Sequence, residues 1–228
     1  MLVSVIIPVL DEAARIEACL GQFREQPGAW ELIVVDGGSL DATVDLAAAA
    51  GARVLRGPRG RGPQMNAGAA AARGDILFFL HADAAVPPGV GALIRGTLGE
   101  ASIALGAFRV RHAAERWAGT WKARVLRLAD LRSRRTAWPY GDQGLFCRTR
   151  DFRAVDGYPD EPLMEELGLA ARLRTLGAVH TRPEELRVSA RRFEAGFLKA
   201  FVCMNAFPAL YRLGVPPARL ADWYGAPR

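Results

Sequence analysis

Apolar and polar positions alternate in blocks along the first third of the chain, and the block lengths name the elements. Val3–Val9 is an apolar run of strand length. It is followed by Glu12–Arg24, where Ile16, Cys19, Leu20 and Phe23 recur at helical spacing. Leu32–Val35 predicts a second strand, ending at Asp36-Gly37-Gly38, and Ser39 or Asp41 is placed to cap a helix reaching about Ala50. Arg53–Leu55 predicts a short third strand. The glycine-rich loop Gly57–Gly62 then leads into a helix of small residues, Gln64–Arg73, and Ile76–Leu80 predicts a fourth strand.

Strands that alternate with helices and are apolar throughout imply an α/β fold, with a mostly parallel sheet covered on both faces. Such sheets bind ligands beyond the carboxyl ends of their strands. Here those ends carry Asp11-Glu12, Asp36 and His81-Ala82-Asp83, so three acidic clusters are expected on one rim. After Pro87-Pro88 the pattern loosens. It predicts a helix near Val90–Leu98, a strand around Ile103–Val110 and a helical segment carrying Trp117, Trp121, Val125 and Leu128. A strand at Gly144–Cys147, a helix at Met164–Leu176 and a long apolar helix at Phe197–Leu213 follow. No repeat or low-complexity linker interrupts residues 1–228, so one domain is expected. Within it, residues 1–110 form a first half, 111–195 a second, and 196–228 a helical tail.

Composition changes this picture little, but charge does. Half of the 228 residues are hydrophobic and 24% are charged, which is the composition of a globular chain. The net charge of +6 is concentrated: Arg111–Arg135 holds eight basic residues against Glu115 and Asp130, and the rest of the chain balances. Such a patch suits either an anionic partner or a solvated helix face. Cys19, Cys147 and Cys203 are odd in number and widely spaced, as in a reduced cytoplasmic protein. The opening MLVSVIIPVLDE lacks the positive n-region of a signal peptide. No run approaches the roughly 18 apolar residues of a spanning helix.

Several chemistries are absent. There is no GxxxxGK[ST], no GxGxxG after the first strand and no GxSxG. His112 and His180 stand apart from any second ligand at useful spacing, which favours surface or satisfied roles. What remains is a carboxylate-rich rim with arginines nearby. Carboxylates repel phosphates, so they bind a phosphorylated ligand through its hydroxyl and N–H groups or through a divalent cation. Asp36 suits a ribose hydroxyl or base N–H, and Asp83 suits Mg²⁺ or Mn²⁺. Together they fit a nucleotide-diphosphate ligand.

At this point the residues resemble a known family. Pro8-Val9-Leu10-Asp11-Glu12, and Val34-Val35-Asp36-Gly37-Gly38-Ser39 with Asp41 and Thr43, are similar to the opening of family 2 glycosyltransferases. Gly62-Pro63-Gln64-Met65-Asn66-Ala67-Gly68 matches that family's Asn-x-Gly element, and His81-Ala82-Asp83 falls at its DxD motif. Tyr140-Gly141-Asp142-Gln143-Gly144 and Pro162-Leu163-Met164-Glu165-Glu166 match later blocks, so the resemblance covers about residues 2–195. The short length and the HAD and YGDQG wording are most similar to a bacterial subgroup of radical-SAM/selenodomain-associated transferases.

The resemblance implies a GT-A (Rossmann-like) three-layer fold with C-terminal helices, and transfer of a sugar from a nucleotide-sugar donor, commonly a UDP-sugar. Pro8, Leu10, Glu12, Gly38 and Ala82 would line the nucleotide pocket, Asp36 would bind the base, and Arg61, Gln64 and Asn66 would lie near the donor. Asp83 would hold the divalent cation (Mn²⁺ or Mg²⁺). Glu166, behind Glu165, falls where the family places its catalytic base, which is usually an aspartate. In an inverting mechanism that base takes the acceptor hydroxyl's proton. Tyr140, Asp142 and Gln143 would face the acceptor, and Arg191 and Arg192 the donor diphosphate. His81 departs from the family's aspartate; its imidazole could hydrogen-bond the sugar or ligate Mn²⁺.

The acceptor implied is a small molecule or a lipid-linked one, and no nucleic acid is implied. The segments 111–135 and 197–213 could rest on the inner face of an anionic membrane, pack on the sheet, or form a homodimer interface. Two other readings stand beside the transferase: a nucleotidyltransferase, and a non-catalytic nucleotide-sugar-binding protein of the same fold. The first would carry a basic glycine-rich loop where this chain has PVLDEAAR.

Overall fold

Strands with no alternation have no face to give to water, and β1 (Val3–Val9) and β4 (Ile76–Phe79) are buried at every position. The structure is a computed structural model describing residues 1–113, 115–135, 138–194 and 196–225, without the side chains of Glu115, Arg132, Arg135 and Arg192. With β2 (Trp30–Asp36) and β3 (Arg53–Arg56), the first strands form a parallel sheet in the order β3-β2-β1-β4. Between them run α1 (Ala13–Gly21), α2 (Thr43–Ala49) and α3 (Arg61–Ala71).

Alternate residues of β1 feed two cores. Val3, Val5 and Ile7 pack with Ile16, Cys19 and Leu20 of α1 and with Ile94 of α4 (Val90–Gly99). On the opposite face Ile6 joins Met65 and Ala69 of α3 and Leu169 and Leu173 of α7 (Glu165–Leu173). This is the expected three-layer α/β arrangement. Glycine sets the spacing on the second face: a Cβ on Gly68 would lie 2.4 Å from Ile6 Cγ2 and 3.0 Å from Val35 Cγ2. The glycine of the Asn-x-Gly element is therefore a packing residue.

The second half extends the sheet with β5 (Ala84–Ala85), β6 (Ile103–Ala113), β7 (Phe146–Arg148) and β8 (Ala178–Ser189), giving the order β3-β2-β1-β4-β7-β6-β8-β5. β7 runs antiparallel to both β4 and β6. The remaining helices among the described residues are α5 (Trp121–Leu131), α6 (Thr149–Ala154), α8 (Arg191–Glu194), α9 (Phe197–Arg212) and α10 (Pro217–Tyr224). No helix among them is long and apolar enough to cross a membrane.

Several expectations need correction. The twelve-residue strand β8 has no counterpart in the sequence reading, because its Pro183 and charged residues read as a break. A bulge absorbs the proline: the pairing passes from Phe108↔Arg182 straight to Arg109↔Glu185. Three short helices (α6, α8 and α10) and the two-residue β5 were also not anticipated. Of the residues at helical spacing, Trp121, Val125 and Leu128 lie on α5, while Trp117 lies in a separate turn before it. Ala123, Leu126 and Ala129 are the buried residues of α5, while Trp121 and Leu128 are 61% and 66% exposed. Neither Ser39 nor Asp41 is the N-cap of α2, which is Ala42. Ser39 Oγ instead accepts from the Asp11 N–H, and the Asp41 carboxylate accepts from the Thr43 and Ala13 N–H groups. The three cysteines are free and buried, as expected.

Candidate active site

Because β2, β1 and β4 are neighbours, the three acidic clusters do line up on one rim. Val9 sits in register with Asp36, and the Leu80 N–H donates to Ile6 O at 3.0 Å, so the strand ends are level. Asp36 is 3% exposed, and its carboxylate accepts from the Gly38 and Ser39 N–H groups. That turn, with Gly38 at φ 101°, fixes the loop leaving β2. Glu12, at the start of α1, is 8% exposed. Both its oxygens receive the Arg191 guanidinium, with Nη1 at 2.9 Å, and Arg15 adds a weaker contact at 3.4 Å. Arg191 Nε also reaches Asp83 Oδ2 at 3.2 Å. Pairing of β5 with β8 brings Arg191 here, and the Ser189 N–H donates to Asp83 O.

The second cluster forms where β4 meets α7. A Cβ on Gly141 would lie 3.4 Å from His81 Nε2 and 3.6 Å from Glu166 Oε1, so these two side chains converge over one glycine. Glu165 lies behind, 4% exposed, with Arg61 Nε 3.8 Å from its Oε1. Burial, and next the Glu166 charge, push the Glu165 carboxyl up to about 7, although Arg61 opposes the rise. Burial works against the Arg61 charge in turn, but Glu165, then Glu166, Tyr224 and Asp142, hold its guanidinium above the ordinary value. Met164, the N-cap of α7, takes φ 67°, a left-handed conformation that a side chain adopts at some cost. A pocket opens on these residues, walled on its other side by Ala200, Cys203 and Phe207 of α9 and by Tyr224 of α10.

Several residues named from the sequence lie in the framework of the site. Gln64 was expected near the donor, yet it is 4% exposed and its Nε2 donates to Val9 O (2.9 Å) and Val35 O (2.7 Å), tying the ends of β1 and β2 together. Asn66, also expected near the donor, has its amide on Tyr158: Nδ2 donates to the carbonyl and Oδ1 accepts the N–H, both at 2.9 Å. Gln143, expected to face an acceptor, is fully buried. Its Nε2 donates to Phe108 O and its Oε1 accepts the Tyr140 N–H, so it braces the turn that presents Gly141. Pro8 and Ala82 are buried and Leu10 is partly exposed. Asp142 lies 4.0 Å from His112 Nε2, and its Oδ1 is buried with no hydrogen bond among the described residues. His112 is itself held by Asp130 at 2.5 Å, the satisfied role expected of it. The Arg192 side chain, expected at the diphosphate, lies outside the described residues. Gly141 and Met164, both inside quoted motifs, carry site geometry that no sequence signal singled out.

Among the described residues no three His, Cys, Asp or Glu side chains are grouped to hold a metal ion. Asp83 and His81 offer one carboxylate and one imidazole from a single strand end. That donor pair suits a cation drawing its other ligands from substrate phosphates. The Asp83 carboxylate already has a cation against it, the Arg191 guanidinium.

A family model, Glycosyl transferase family 2, matches residues 4–156. A PGL/p-HBAD biosynthesis glycosyltransferase of Mycobacterium bovis is 41% identical over 88 residues, which is 35% of this chain and 34% of that protein. An undecaprenyl-phosphate 4-deoxy-4-formamido-L-arabinose transferase of Pseudomonas aeruginosa is 30% identical over 164 residues, 67% of this chain and 47% of that one. The chain thus spans less than half the length of these curated relatives. Among solved structures, glucosyl-3-phosphoglycerate synthase from Mycobacterium tuberculosis, in complex with Mn²⁺, UDP and glucosyl-3-phosphoglycerate, superposes with a TM-score of 0.66 at 24% identity. The match covers 94% of this chain and 81% of that one. S. aureus TarS superposes with a TM-score of 0.66 at 13% identity, over 98% and 69% of the two chains. These likenesses establish the fold.

Proposed function

The chain belongs to glycosyl transferase family 2 and has the GT-A fold, and from that premise we propose that it is a metal-dependent inverting glycosyltransferase using a nucleotide-diphosphate sugar. The observation that carries the reading is the convergence of His81 and Glu166 over Gly141, beside the rim formed by Asp36, Glu12 and Asp83. In this reading Asp36 and Glu12, with Pro8, Leu10, Gly38 and Ala82 around them, bound the nucleotide, and Asp83 contacts the cation. Gln64 and Asn66 hold the donor-side framework. When bound, the cation neutralises the departing diphosphate. A UDP donor is supported by the UDP bound in the mycobacterial synthase.

Glu166 is the general base. It takes the acceptor hydroxyl's proton as that oxygen attacks the anomeric carbon. Glu165 and Arg61 set its position and local charge: the raised Glu165 carboxyl is partly protonated near neutral pH, which lessens the negative charge beside Glu166. His81 faces the transferring sugar, and Tyr140, with Asp142, faces the acceptor. A small or lipid-linked acceptor hydroxyl fits the pocket against α9, whose wall is apolar on one side and charged on the other.

Exposed Trp121 and Leu128 on α5, interleaved with exposed Arg124 and Arg127, support peripheral contact with an anionic membrane at its cytoplasmic face. The HAD and YGDQG wording supports a place in the radical-SAM/selenodomain-associated subgroup. The test is release of nucleoside diphosphate from a panel of UDP-, GDP- and dTDP-sugars with Mn²⁺, using Asp83→Ala and Glu166→Gln. Asp83→Ala is expected to abolish metal-dependent turnover. Glu166→Gln is expected to leave UDP affinity intact while turnover falls by about 100-fold or more. Transfer surviving within about tenfold in the second variant would move the base elsewhere.

A further inference from the structure

Glu12 and Asp83 are two mostly buried carboxylates, at the ends of adjacent strands β1 and β4, and each is met by one guanidinium. Arg191 grips Glu12 through both terminal nitrogens and touches Asp83 with Nε, the fork geometry in which arginine binds carboxylates best. Its own side chain is 40% exposed, against 10% for Glu12 and 16% for Asp83. The acids are fixed in the rim, and the cation between them is the group with room to leave.

We propose that the Arg191 guanidinium holds the divalent cation's place in the donor-free site and moves to the donor diphosphate on binding, so that metal and nucleotide bind as a linked pair. A metal ion arriving alone must displace the Arg191 Nε contact from Asp83 and then sits beside a guanidinium still held by Glu12, with no anion to offset the like charge. A nucleotide diphosphate arriving alone competes with Glu12 and Asp83 for the same guanidinium. Arriving together, the metal takes Asp83 and the phosphates take Arg191, since phosphate accepts the arginine fork as carboxylate does. Each ligand removes a cost that the other would meet, and by linkage the two enhancement factors are equal.

The inference rests on Asp83 as the metal contact, and the experiment separates the two. Mn²⁺ binding is followed by electron paramagnetic resonance, with and without UDP, and UDP binding by calorimetry, with and without Mn²⁺. The proteins are the intact wild type, Arg191→Gln and Asp83→Asn. In the wild type UDP tightens Mn²⁺ binding by about tenfold or more, and Mn²⁺ tightens UDP by the same factor. Arg191→Gln binds Mn²⁺ alone more tightly than the wild type, and its coupling shrinks to about threefold or less. Mn²⁺ affinity that is unchanged or weaker in Arg191→Gln, with coupling intact, overturns the proposal. So does turnover that persists in EDTA, which would make the guanidinium a permanent cation. UDP-dependent Mn²⁺ binding that survives in Asp83→Asn refutes the metal contact itself. Loss there, with no effect of Arg191→Gln, refutes only the Arg191 role. If the glutamine variant does not fold, Arg191→Lys reads the same quantity, because an ammonium cannot grip Glu12 bidentately and reach Asp83. Its Mn²⁺ affinity without UDP is then expected between those limits, and wild-type affinity with intact coupling overturns the proposal.

Discussion

Asn66→Ala separates a residue that touches the donor from one that holds the segment of the proposed base in place. The Asn66 amide makes two hydrogen bonds, each 2.9 Å, to the backbone of Tyr158, a residue distant in sequence and followed by the stretch that leads to Glu165 and Glu166. A typical hydrogen bond contributes about 1 kcal/mol net, so losing both costs about 2 kcal/mol. In a chain of this size that lowers Tm by about 4–8 °C. Asn66→Asp keeps the acceptor and loses the donor, for about half that cost. Since the amide is committed to Tyr158, UDP affinity measured by calorimetry stays within about twofold of wild type while turnover falls, because the 158–166 segment loses its anchor. A fall in UDP affinity of about tenfold, with Tm unchanged, would refute this reasoning and return Asn66 to direct donor contact.

Gly68→Ala forces a Cβ to within 2.4 Å of Ile6 Cγ2; overpacking of this kind costs about 1–3 kcal/mol, read as a lower urea midpoint with an unchanged slope. Glu165 gives a pH signature. Its folded value of about 7 lies above the ordinary 4.5, so its contribution to stability is complete below 4.5 and is lost as pH rises through 7. Wild-type Tm should therefore fall between those values, and Glu165→Gln should flatten that part of the profile; an identical slope in both would refute the assignment. Gln64→Met removes one donor from each of two buried carbonyls, and Tm and UDP affinity should fall together, because the ends of β1 and β2 spread at the proposed nucleotide pocket. Sedimentation with anionic vesicles should retain the protein and release it on Trp121→Ser with Leu128→Ser; equal retention would remove α5 from the membrane reading.

The parts of this protein legible from the sequence are those whose cause is local. Uninterrupted apolar runs gave the parallel core β1-β2-β4, because a strand covered on both faces cannot alternate, and helical spacing gave the buried stripe of α1 at Ile16, Cys19 and Leu20. From those strands the rim of acids at Glu12, Asp36 and Asp83 followed directly. β8 was not legible, since its proline is tolerated only through a bulge set by its partner β6. Which face of α5 is buried was left open by the sequence for a related reason: small alanines bury against a close neighbour, and only that neighbour decides it.

The motifs named residues that gather at the candidate site without saying how each is held there. Gln64, Asn66 and Gln143 sit within matched blocks, yet all three spend their amides on backbone groups of other segments. A sequence records that an amide is present, while its partner is a fact of packing. The same holds for the opening of the chain and its end: Glu12 and Arg191 are separated by 179 positions and meet in a bidentate pair that no spacing rule connects. The sequence by itself determined the fold class, the family and the acidic rim, because periodicity and motif order are properties of neighbours along the chain. Only the tertiary structure decided which carboxylates hold a cation of the protein's own, and which converge with His81 over Gly141, because those charges interact through space.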